Sequence, residues 1–93
     1  MRLTEREIST IKSNILSFDN EAKIYLFGSR VNDSEKGGDI DILVISDKIG
    51  FIEKIKIKTG IFKEIEEQKL DIVVKKDFTD MFVQMIEPDL QCL

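Results

Sequence analysis

Two aspartates spaced two residues apart, Asp39 and Asp41, stand at the start of an apolar run that ends at Ile45. In an extended strand, side chains at i and i+2 project from one face, so both carboxylates point the same way. Carboxylates that close together repel one another unless a cation lies between them, and hard oxygen donors suit Mg²⁺ or Mn²⁺. A third carboxylate, Asp71, opens the segment Leu70-Asp71-Ile72-Val73-Val74, and apolar strands seldom include an aspartate. Upstream, Gly28-Ser29 directly follows the apolar run Ile24-Tyr25-Leu26-Phe27. A glycine there lets backbone N–H groups and a hydroxyl approach phosphate oxygens. A phosphate cradle beside a carboxylate-held pair of metal ions suits phosphoryl or nucleotidyl transfer, where the catalyst positions groups and neutralises developing charge. Each feature also has a plainer reading: a solvated strand start for Asp39 and Asp41, a charged strand end for Asp71, and a simple turn for Gly28-Ser29.

These residues need strands to hold them. Thr4 and Glu7 form a capping-box pattern, and Ile8, Ile11, Ile15, Leu16 and Phe18 recur at helical spacing, which predicts a helix over 4–18. Lys23 to Phe27, rich in β-branched and aromatic residues, predicts a buried strand in which Tyr25 is half-buried. The polar stretch from Gly28 to Gly38 predicts a loop with one helical turn beginning near Ser29, and Asp39 to Ile45 a central strand. Residues 49–67 have helical periodicity interrupted by Gly60, so two short helices or one bent helix are expected. Leu70 to Val74 predicts a third strand. Phe78, Met81, Phe82, Met85 and Ile86 mark a last helix that ends before Pro88, with its apolar residues expected in the core. The expected fold is α/β (α+β), a small mixed three-strand sheet packed by helices. It forms one domain over 1–93, with 87–93 as a loosely held tail.

Composition narrows the chemistry further. The chain has 93 residues, 42% of them hydrophobic and 34% charged, which suits one globular domain. Histidine is absent and Cys92 is the only cysteine, so imidazole catalysis, thiol–imidazole pairs and a zinc–thiolate cluster are excluded. A formal charge of -4 with interspersed signs argues against direct nucleic-acid binding through a basic field. The cluster Lys54, Lys56, Lys58 and Lys63 reads as a solvated helix face. Without an apolar run of roughly 18 residues or a signal-like N-terminus, no membrane association is expected, and the expected location is cytoplasmic.

The stretch Gly28-Ser29-Arg30-Val31 through Gly37-Gly38-Asp39-Ile40-Asp41-Ile42-Leu43 resembles the signature of the nucleotidyltransferase superfamily related to DNA polymerase beta. More narrowly, it is similar to the minimal nucleotidyltransferase (MNT) antitoxins encoded beside HEPN-domain toxins. The resemblance implies a polymerase-beta-like fold, with Asp39, Asp41 and Asp71 as the catalytic carboxylates and metal ligands for two Mg²⁺ ions. It further implies that Gly28 and Ser29 hold the triphosphate of ATP, with Arg30 adding phosphate or partner contacts. Asp71 would help to activate the acceptor hydroxyl. Catalytic members of that group transfer AMP from ATP to a tyrosine hydroxyl of the HEPN toxin, silencing its ribonuclease activity, so a hetero-oligomer with such a toxin is expected. Two alternatives stay open: a non-catalytic antitoxin acting by occlusion, and a small-molecule nucleotidyltransferase with a separate acceptor subunit.

Overall fold

The structure is a computed structural model in which residues 3–28, 40–65 and 70–93 are described. Helix α1 (Glu5–Leu16) starts where the capping pattern places it: the Glu7 N–H donates to Thr4 Oγ1 at 3.1 Å, and the Thr4 N–H donates to Glu7 Oε1 at 2.9 Å. This reciprocal cap satisfies two of the donors that a helix start leaves open. Strands β1 (Lys23–Phe27), β2 (Ile40–Ile45) and β3 (Leu70–Lys75), with helix α2 (Phe51–Glu64) between β2 and β3, follow the expected order. Helix α3 (Met81–Ile86), a 3₁₀ turn (Glu87–Asp89) and a two-residue strand β4 (Gln91–Cys92) complete the chain.

The sheet order is β3-β2-β1-β4, with β2 and β3 parallel and the other pairs antiparallel. The mixed sheet is as expected, but among the described residues it has four strands, not three. The additional strand comes from the segment read as a loose tail: Gln91 lies opposite Leu26, Cys92 lies opposite Tyr25, and the Leu93 N–H donates to the Ile24 carbonyl at 3.1 Å. Two residues are too short for a period-2 pattern, so only pairing reveals the strand.

Alternation along the strands divides the core into two layers. Ile24, Leu26, Ile40, Ile42, Val44, Leu70 and Ile72 face α1 and α2, meeting Ile11, Ile15, Ile57 and Ile61. The opposite face brings Leu43, Ile45, Tyr25, Phe27 and Val73 against Val83 and Ile86 of α3 and against Phe78. Tyr25 is half-buried there, with its ring edge-on to Phe78 at 5.9 Å, and burial pushes its phenol pKa up.

Gly60 does not divide the segment into two helices; α2 is continuous across it. Its role is close approach, because a Cβ at this position would collide with Asn14 Oδ1 on α1. Asn14 is fixed by its own bond to the Thr10 carbonyl at 2.8 Å, and Arg6 Nη2 ties α1 to the Glu64 carbonyl at 2.7 Å. In an open helix Gly→Ala stabilises by about 1 kcal/mol. Here Gly60→Ala is expected to destabilise, and the same change in an Asn14→Ala background should recover that gain of about 1 kcal/mol. Urea unfolding of the four proteins checks this, and a stabilised Gly60→Ala single variant contradicts the close-approach account.

Asp19 and Ser46 close the end of the sheet where β1 begins and β2 ends. Both are buried, and Ser46 Oγ donates to Asp19 Oδ2 at 2.6 Å while accepting from the Lys48 and Ile49 N–H groups at 3.0 and 3.2 Å. Asp19 Oδ1 accepts from the Glu21 N–H at 3.0 Å. The Ser46 hydroxyl, then the Glu21 amide, and lastly Lys48 hold the Asp19 carboxyl below its ordinary value of 3.8, against an opposing effect of burial. A carboxylate with a depressed folded-state pKa stabilises the fold fully above its unfolded pKa, and that contribution is lost as the pH falls through the folded value. Asp19→Asn should therefore be less stable than wild type at neutral pH. The gap should close as urea midpoints are followed below about pH 4, whereas a gap independent of pH would assign the loss to packing.

Candidate active site

Asp41 and Asp71 occupy matching positions on neighbouring parallel strands, in a register that runs Ile40 with Leu70, Asp41 with Asp71 and Ile42 with Ile72. Residues in register project from the same face of a sheet, and adjacent strands lie roughly 4.8 Å apart. The two carboxylates therefore share the α3 side of the sheet, near the N-terminal ends of β2 and β3. Asp71 is exposed and Asp41 half-buried, as a site that admits a solvated ligand requires.

The third neighbour is the end of β1. Phe27 is the antiparallel partner of Asp41, and the next residue, Gly28, turns the chain with φ +77°. A side chain at this φ is strained, and a Cβ on Gly28 would collide with Asp41 Oδ2. Glycine thus lets the backbone pass directly beside the carboxylate. No other described residue has positive φ, which confines the left-handed turn to the position singled out from the sequence.

The structure brings Gly28, Asp41 and Asp71 together. Ser29, Arg30 and Asp39 lie outside the described residues, as does the helical turn expected near Ser29. Among the described residues no cluster of three or more possible metal ligands occurs. The donor chemistry of two carboxylates on one face fits a hard divalent cation, and Asp41 and Asp71 are the described residues that would hold it.

An aromatic pair beside these carboxylates escaped sequence reasoning. Phe27, on the same face as Asp41, meets Phe82 of α3 edge-on, with ring centroids 5.9 Å apart. Lys75 Nζ lies 5.8 Å from the Phe82 ring centre and 3.7 Å from Asp80 Oδ2, and Asp80 caps α3 by accepting from the Phe82 N–H at 2.8 Å. These contacts fix α3 over the sheet. The available signal was parity: Phe27 ends β1 on the face that Tyr25 shares. Met81 and Met85, expected in the core, are 85% and 70% exposed, and Val83 is the residue of α3 that is buried.

A mixed sheet covered by helices on both faces thus carries paired carboxylates at its strand ends beside a left-handed glycine. The chain belongs to the nucleotidyltransferase domain family, whose model matches residues 8–91, from α1 through β4. Its activity is accordingly nucleotidyl transfer, a chemistry that in this family uses a nucleoside triphosphate and a divalent metal. No match was found among curated proteins. No helix among the described residues is long and apolar enough to cross a membrane.

Proposed function

We propose that this protein is a cytoplasmic antitoxin nucleotidyltransferase that transfers AMP from ATP to a tyrosine hydroxyl of a HEPN-type ribonuclease toxin, with which it forms a hetero-oligomer. The observation that carries the reading is the in-register placement of Asp41 and Asp71 beside Gly28. With the family membership, that placement supports catalysis over simple occlusion, because a surface that only binds has no need of paired like charges at strand ends.

In this reading Gly28 admits the triphosphate close to the backbone, aided by Ser29 and Arg30. The acceptor oxygen attacks the α-phosphorus, one P–O bond forms as the α–β bridge breaks, and pyrophosphate leaves. Asp71, the more exposed carboxylate, takes the phenol proton. Asp39, Asp41 and Asp71 would hold Mg²⁺, which supplies neutralisation of the charge that develops on the phosphate oxygens.

Intact-mass analysis of the HEPN partner after incubation with this protein, ATP and Mg²⁺ tests the proposal. One or more added AMP units supports it. Tight binding without any mass gain would replace catalysis by occlusion.

A further inference from the structure

Helix α2 buries Ile57 and Ile61 beneath it but carries a second apolar stripe on its outer side. Phe51, Ile52 and Ile55 are 73%, 56% and 47% exposed, although their helical spacing reads from sequence simply as an amphipathic pattern. Ile52, Ile55 and Thr59 are exposed and follow one another at intervals of three and four residues, the alternation of a helix-pairing seam, whereas Phe62, next in the series, is half-buried and packs against the core. With a rise of about 1.5 Å per residue, this seam runs roughly 10 Å along the helix.

Charge selects what the seam receives. The chain as a whole carries -4, yet α2 holds Lys54, Lys56, Lys58 and Lys63 against only Glu53 and Glu64. In heptad terms Lys56, Lys58 and Lys63 flank the apolar positions, where charges choose the partner. None of the four lysines is ion-paired among the described residues. A groove lined by Asp47, Phe51, Lys54, Lys75 and Lys76 adjoins this face at the end of the sheet, with three lysines, of which Lys75 is paired to Asp80, against one lining carboxylate. A second copy of the same seam would set lysines against lysines.

We propose that the outer face of α2 is a docking surface for an acidic amphipathic helix of another protein, its apolar residues seated along Phe51, Ile52 and Ile55 and its glutamates against Lys56, Lys58 and Lys63. The surface lies across the sheet from Asp41 and Asp71 and does not depend on the transfer reaction. Its nearest rival is an anionic membrane, which a basic amphipathic face also attracts.

The test uses the full chain and a synthetic labelled peptide of about three heptads with Leu at the seam positions and Glu flanking them, beside a twin with Lys flanks. Fluorescence anisotropy should show binding of the acidic peptide that weakens with salt, and little binding of its twin. Ile55→Glu should weaken it by about tenfold or more without changing the circular dichroism, since Ile55 is exposed. Lys56→Glu with Lys63→Glu should shift preference toward the Lys-flanked peptide. Equal binding of both peptides, or an Ile55→Glu variant that binds as wild type, overturns the proposal. So does binding to phosphatidylserine vesicles, or dimerisation of the chain itself, that Ile55→Glu abolishes while the acidic peptide fails to bind.

Discussion

Asp41→Asn is expected to lower nucleotidyl transfer by about 10²–10³-fold, the usual cost of removing one electrostatic contact to the transition state. The substitution keeps the shape of the side chain and removes its charge and one metal-ligating oxygen. Asp41 holds a fixed register between Phe27 on one side and Asp71 on the other, so the variant should keep the secondary structure of the wild type. Asp71→Asn should show a loss of similar order, because it removes the carboxylate that takes the phenol proton in the proposed reaction. Single-turnover transfer to the proposed HEPN acceptor, followed by intact mass, gives the rates. A thermal-shift series with Mg²⁺ and ATP adds a readout separate from activity: ligand that stabilises the wild type should stabilise Asp41→Asn less. Unchanged transfer in Asp41→Asn would remove this site from the reaction.

Gly28→Ala is expected to damage both stability and activity, for separable reasons. A side chain held at positive φ costs about 1–2 kcal/mol, which the fold must absorb wherever the turn is kept. The new methyl would also drive the Asp41 carboxylate aside, and a displacement of about 1 Å at a reacting centre can reduce the rate by about 10²-fold. Adding Asp41→Ala to Gly28→Ala should restore the part of the stability lost to collision and none of the activity. Denaturant midpoints and transfer rates across these variants separate the effects. If Gly28→Ala matches the wild type in both, the left-handed turn has no part in the site.

The elements that position the site were readable because their signals are local. The Thr4 and Glu7 cap, the aromatic and β-branched run of β1, and the apolar run of β2 each declare themselves within a few residues, and the structure places them there. Asp41 and Asp71 could be proposed together because each heads an apolar strand, but their register is a property of the assembled sheet. What stayed hidden required knowing a neighbour. Gly60 has the same composition signal whether it bends a helix or admits Asn14, and only the packing of α1 on α2 decides. Periodicity marks Phe51, Ile52 and Ile55 as helical without saying whether another element covers them. The same reasoning put Met81 and Met85 inside, whereas Val83 is the buried residue of α3 and Ile86 packs partly beside it. Asp19 becomes a buried acceptor only once Ser46 arrives from a position 27 residues away.

The division of the sheet into two unlike sides has an evolutionary consequence. Asp41 and Asp71 share their layer with α3, whereas the lysine-rich exterior of α2 belongs to the other layer, with a wall of buried isoleucine and leucine between them. Substitutions that retune attachment can therefore accumulate on one side while the reaction chemistry on the other stays constant. A lineage built on this domain could exchange the molecules it is tethered to without reinventing its catalyst.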